Sequence, residues 1–331
     1  MSKPTQVNMI VALRAIAALM VCFFHFVSHD NELGYLFSPD DTIRQVGYYG
    51  HHGVNVFFVI SGFVIPLSMY YGKYRIQNFL QFMGKRLVRL HPPFVMSMML
   101  YAIMEVIYWS RGGYDIVYDM VRIAHNFFLT ARIFDYDWFQ DVYWTLAIEL
   151  QYYVLIALLL PLLLSPRRWL QLLTLSVLIF ISMFFDEAYK HLFFYHTPVF
   201  ALGIVLFMQH IGKLSSFDSI LMSLLCLVVC YYEINVECML FVAGTALCIY
   251  AVHWRNRFLE WVGNISYSLY LTHAFSGCQL LYYFAPKAVS YRDKFILLVS
   301  AFIVSLVFAY LFHLLIEKPS MRWSQYIRFK K

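Results

Sequence analysis

Charge is scarce in this chain: only 13% of its 331 residues are Asp, Glu, Lys or Arg, about half the share typical of a soluble domain. Apolar side chains take their place, at 61% of the total, and mean hydropathy is +0.64. No polar block runs beyond about 30 residues, which excludes a separate soluble domain of ordinary size. A single domain over 1–331 is expected. There is no internal repeat and no low-complexity tract. The six cysteines, Cys22, Cys226, Cys230, Cys238, Cys248 and Cys278, show no C-x-x-C spacing and sit mostly in apolar runs, so they read as buried thiols. A net charge of +6 would suit nucleic acid, but Lys and Arg are dispersed between apolar segments as a topology signal would place them, and nucleic acid is set aside as a partner. No small-residue cleavage site follows the first apolar segment, which is expected to remain as an anchor.

What the chain does have is a succession of apolar windows of about 20 residues, the length that crosses a bilayer. They fall at 8–29, 52–71, 92–109, 142–164, 169–185, 192–211, 217–232, 236–253, 264–284 and 294–316. The expected fold is all-α, a polytopic membrane protein of about ten transmembrane helices. With the amino terminus in the cytoplasm, 16 of the 25 Lys and Arg residues lie inside. That balance places both termini in the cytoplasm. Ile76, Phe79, Leu80, Met83, Leu87 and Leu90 recur at helical spacing around Lys85, Arg86 and Arg89, predicting a basic amphipathic helix at the inner surface. Ile116, Met120, Ile123, Phe127 and Phe128 predict a similar helix in the outer loop, placed to roof the outer mouth.

The functional signal lies in polar residues inside these windows. Arg14 and His25 both interrupt the first one. A central arginine costs at least about 2.5–3.5 kcal/mol to insert, so it normally faces a protein interior or a wet cavity. Eleven residues are about three helical turns, so Arg14 and His25 share a face, roughly 16 Å apart. Arg86 and Arg89, three apart, point the same way and suit a phosphate clamp or a lipid-headgroup anchor. His25 and Glu149, each a few residues in from the outer end of its window, fall at similar depths. A carboxylate beside an imidazole raises its basicity, as a general base requires. His25, His29, His51 and His52 also invite a metal reading, but adjacent histidines diverge, and no metal site is expected. Asn55 and Ser61 are candidate lining residues of a site, although close helix packing is the favoured role of Ser61 and Gly62. Tyr270 and His273, three apart in the ninth window beside Ser266 and Tyr267, either line the site or cross-link helices.

Taken in order, these residues resemble the acyltransferase family 3 membrane proteins, which O-acylate sugars of bacterial envelopes. Arg14 followed by ten residues and His25 is similar to the family's first-helix motif. Phe57 to Phe63 is similar to its Ser-Gly-Phe segment, and Arg86-Leu87-Val88-Arg89 with Pro92 to its cytoplasmic Arg-x-x-Arg. Trp144-Thr145-Leu146 with Glu149 is similar to its Trp-Ser-Leu-x-x-Glu pattern, with Thr145 in place of serine. Ile265 to His273 and Glu317-Lys318-Pro319 are similar to its last two signatures. The resemblance covers nearly the whole chain and implies a bacterial inner-membrane enzyme. It implies acyl-CoA, acetyl-CoA in the usual case, as cytoplasmic co-substrate with no permanently bound cofactor, and a hydroxyl of an extracytoplasmic glycan or lipid-linked sugar as acceptor. His25 would be the reacting base, assisted by Glu149, with Arg14, Arg86 and Arg89 on the donor. An acyl-histidine intermediate is the variant of that chemistry. The chain ends at Lys331 with no fused hydrolase-like domain, so acceptor choice is expected to reside in the helices, the outer loops or a partner. The competing class is a proton-coupled secondary transporter of a small anionic or sugar-like substrate, with Arg14, His25 and Glu149 as ligands and proton carriers; the repeats and matched broken helices of that class are absent here.

Overall fold

A computed structural model describes residues 3–27, 36–112, 119–252 and 254–329, and the described chain is helical with no strand. Apolar segments that enter lipid must satisfy every backbone N–H and C=O internally, which helices do. Among the described residues, six helical stretches are long and apolar enough to cross a membrane: Met9–Val27, Thr42–Tyr71, Ile76–Val106, Tyr143–Leu163, Ser216–Glu233 and Tyr291–Gln325. Each of the remaining windows also carries helix, but the pieces are short. Helix α7 (Arg168–Phe180) has 13 residues, α8 (Thr197–His210) 14 and α10 (Val236–Ala251) 16. At 1.5 Å per residue these cover roughly 20–24 Å, against about 30 Å of hydrocarbon.

Helix α1 (Lys3–Val27) runs beside α11 (Arg257–Asn264) and α12 (Ser266–His273). Helices α1 and α11 meet where Gly263 lies on the Val11 carbonyl, and a Cβ there would collide with it. Register then fixes the rest: Arg14 Nε donates to Ser266 Oγ at 3.3 Å, and the His25 ring stands 5.1 Å from that of His273. Helix α2 (Thr42–Tyr48) is capped by Asp41, whose side chain accepts from the Ile43 N–H, and leads into α3 (Gly53–Tyr71). Helices α3 and α8 are packed at Gly62 and Gly203; a Cβ on Gly62 would strike the Phe200 carbonyl and the Gly203 Cα. That contact anchors the larger apolar core, where Phe58 and Tyr152 both lie against Phe200.

Helix α4 (Phe79–Gly112) corrects the expectation of a surface helix followed by a separate third span, because the two are one 34-residue helix running through Pro92 and Pro93. Each proline removes the N–H that would bond the carbonyl four residues earlier. Those carbonyls belong to Val88 and Arg89, and the buried Ser320 hydroxyl on α15 (Lys318–Gln325) is 2.7 Å from both, its single proton shared between them. Tyr267 adds a 2.8 Å bond to the Leu90 carbonyl. A pair of prolines that would otherwise break α4 is thus held by the chain's last helix.

Helix α5 (Met120–Phe127) confirms an amphipathic element in the loop; Ile116 lies outside the described residues. Its place differs from a roof. Phe127 packs on His91 at 4.8 Å, and the buried Asn126 ties the helix to 137–139 through the Asp137 carbonyl and the Phe139 N–H. The loop therefore closes the flank of α4. Helix α6 (Tyr143–Leu163) follows, and α9 (Ser216–Glu233) packs on α8 and α10. The last two windows both change register: a π-turn at Ala274–Cys278 joins α12 to α13 (Gln279–Phe284), and another at His313–Glu317 joins α14 (Tyr291–Phe312) to α15. Such turns recur at functional sites. Here one follows His273 and the other contains Glu317.

Candidate active site

Two spaces meet at Arg86 and Arg89. A chamber of about 510 Å³ lies among the ends of α3, α4 and α15, bordered by Ser68, Gly72, Lys85, Arg86, Arg89 and Arg328. A cavity of about 310 Å³ lies between α1, α3, α4, α6 and α12, bordered by Arg14, Ser61, Glu149, Tyr153, Tyr270 and Glu317 among others. Arg86 and Arg89 border both. One turn of α4 is therefore the partition between a basic vestibule and the interior.

A chain of contacts fixes that partition. Arg86 Nη2 donates to Ser68 Oγ at 2.7 Å, and its guanidinium lies 5.4 Å from the Phe82 ring centre and 5.5 Å from that of Tyr153. The Tyr153 hydroxyl donates to Glu149 Oε1 at 2.6 Å, and Ser61 Oγ donates to the same oxygen at 3.2 Å. Ring faces attract a guanidinium, and a phenol bonded to a carboxylate is among the stronger neutral-to-charged hydrogen bonds. Arg86 is thus held in place before any ligand arrives. Across the cavity, the buried Glu317 carboxylate accepts from Ser268 Oγ at 2.6 Å and from the His313 ring at 2.8 Å. Three arginines and two carboxylates line the cavity, which therefore carries an excess of positive charge for an anionic ligand.

Glu149 departs from the expected place. The reading that set it level with His25 took the ends of the two helices as one plane, but α6 starts deeper. Val142, just before it, accepts a 3.1 Å bond from Tyr270, and Glu149 lies seven residues further along, about 10 Å inward. Its hydrogen bonds go to Ser61 and Tyr153, on the arginine side. His25, half-buried in the last turn of α1, borders neither space; its ring packs by Phe24 and His273, both at 5.1 Å, and its carbonyl accepts from Cys278 Sγ at 3.9 Å. Tyr270 connects the two regions. It lines the cavity, bonds Thr145 at 2.7 Å, and its ring is 6.1 Å from His273.

Asn55 turns to His52, with Nδ2 at 3.0 Å from Nδ1, and lies off the cavity, whereas Ser61 lines it. Gly62 serves the contact between α3 and α8. His51 and His52 lie 4.0 Å apart, ring to ring, with His52 stacked on Phe241, and His29 is outside the described residues. Sequence reasoning missed Tyr153, His313 and the site position of Glu317. Tyr153 is four residues from Glu149 and His313 four from Glu317, so each pair shares a helix face, a signal the sequence did carry.

A family model described as an acyltransferase domain matches residues 9–314, nearly the whole chain. No curated protein and no solved structure matches it. The chain belongs to that acyltransferase family, the acyltransferase family 3, and is a membrane enzyme transferring groups other than amino-acyl groups.

Proposed function

We propose that this acyltransferase moves an acyl group, acetyl in the simplest case, from acyl-CoA held beside Arg86 and Arg89 to a hydroxyl of a glycan or glycolipid near the far end of α1. The observation that carries the reading is that Arg86 and Arg89 border both the vestibule and the interior cavity. Guanidinium forks there bind the phosphates of the donor, Arg14 completes the grip, and the pantetheine arm extends along the cavity towards Tyr270. Arg14 and His25 are eleven residues apart, about 16 Å along the helix, comparable to the reach of that arm. His25 takes the proton of the acceptor hydroxyl, the oxygen attacks the thioester carbonyl, and the carbon–sulfur bond breaks. His25 then returns the proton to the CoA thiolate, so that it ends the cycle neutral. Glu149 is reassigned: with Ser61 and Tyr153 it holds Arg86 in place.

This reading carries with it about ten membrane crossings, cytoplasmic termini and residence in a bacterial inner membrane, with the donor drawn from the cytoplasm. Membership of an acyltransferase family favours it over transport. The test is mass spectrometry of surface glycans from cells with the wild-type protein, with His25→Ala at matched abundance, and with neither. An acyl mass present only with the wild type supports the reading; the same acyl content in all three overturns it.

A further inference from the structure

The expected carboxylate partner of His25 lies elsewhere, and another group stands beside the ring. His273 is completely buried. Its Nδ1 is 2.8 Å from the Tyr270 carbonyl and 3.2 Å from that of Leu269. Carbonyl oxygens only accept, so Nδ1 carries the proton and Nε2 of the neutral ring carries a lone pair. That Nε2 has no hydrogen-bond partner among the described residues. A buried acceptor left unpaired is costly and calls for a reason. The His25 imidazole stands beside it, 5.1 Å away between ring centres and inclined at 45°.

The surroundings hold His273 still. The π-turn Ala274–Cys278 begins at the next residue, Ser276 bonds both the Thr272 carbonyl and Ser305, and a Cβ on Gly277 would strike the Phe26 ring. His25, by contrast, is half-buried in the last turn of α1. The fixed ring is the one with the idle lone pair, and the accessible ring is the one placed to react.

We propose that His273 is the positioning residue of His25: its Nε2 accepts an N–H of His25, and the other His25 nitrogen acts as the base. This rests on the general-base reading above. On taking the hydroxyl proton, His25 becomes an imidazolium with two N–H groups. His273 accepts a hydrogen bond from one without taking the proton, and the other delivers its proton to the departing thiolate. An imidazole lone pair thereby does what a carboxylate does in the familiar serine hydrolase arrangement.

Two substitutions separate this role from a structural one. His273→Asn keeps a donor for the Leu269 and Tyr270 carbonyls but removes the acceptor; His273→Gln can present an amide oxygen near Nε2. The assay is acetyl incorporation from acetyl-CoA into envelope glycan by membrane vesicles carrying the full chain, read as rate against acetyl-CoA concentration. His273→Asn is expected to lower the saturating rate about 10- to 150-fold, the worth of one hydrogen bond to a charged group, with KM for acetyl-CoA unchanged. His273→Gln recovers most of it. In a His25→Ala background, His273→Asn lowers the residual rate no further, because both act through one nitrogen. Near-normal rate with His273→Asn while His25→Ala is inactive overturns this inference alone. Normal transfer by His25→Ala overturns the general-base reading and this inference with it. Equal losses in both backgrounds also overturn it.

Discussion

Arg86 offers the sharpest numerical test of the donor site. Its guanidinium is fixed by Ser68 and by the rings of Phe82 and Tyr153, so little side-chain ordering remains to be done when phosphate arrives. Replacing it with alanine removes a hydrogen bond between charged partners, worth about 1.5–3 kcal/mol, which is a loss of about 10- to 150-fold in CoA affinity. Arg86→Lys keeps the charge but not the planar fork or its seat between two rings, and is expected to recover only part of the loss. The assay is calorimetric titration of CoA into purified protein, with thermal unfolding of the unliganded variants as the check on folding. Raising the salt concentration weakens binding by the wild type more than by Arg86→Ala, because a charge–charge contact is screened. An unchanged Kd for Arg86→Ala in a folded protein would refute the assignment.

Other outcomes follow from the same contacts. Ser320→Ala strips the proline-freed carbonyls of Val88 and Arg89 of their donor; thermal denaturation should show about 1–3 kcal/mol lost, and CoA titration a weaker Kd, since Arg89 sits on that turn. Gly62→Ala places a methyl group against the Phe200 carbonyl, and calorimetry should show about 1–3 kcal/mol or more of destabilisation. Tyr153→Phe removes the bond to Glu149 but leaves the ring beside Arg86, so CoA affinity should fall less than in Arg86→Ala; a loss as large would show that the hydroxyl itself holds donor.

Much of the site was legible because helical periodicity is local. Arg14 and His25 interrupt one apolar run at a multiple of the helical repeat, and Arg86 and Arg89 share a face by spacing alone. What sequence could not supply was the relative height of helices. Glu149 counts a few residues from the start of α6, yet α6 starts level with Tyr270, so the carboxylate joins the arginines. Nor could it show α4 continuing through Pro92 and Pro93, since the compensating hydroxyl of Ser320 comes from more than 200 residues further on. The window 294–316 stopped one residue short of Glu317, because a charge ends a hydropathy window although the helix continues through a π-turn. The role left open for His273 depended on which of its nitrogens is occupied, a property of three-dimensional neighbours.

The central claim is that the acyl group enters beside Arg86 and Arg89 and leaves at His25, on the opposite side of the membrane. Inside-out membrane vesicles, which expose the cytoplasmic face, can be given radiolabelled acetyl-CoA and their luminal glycan assayed for label. The account predicts label in that glycan with the wild type, none with His25→Ala, and none from sealed right-side-out vesicles. Equal labelling from right-side-out vesicles, or undiminished labelling with His25→Ala, would contradict it.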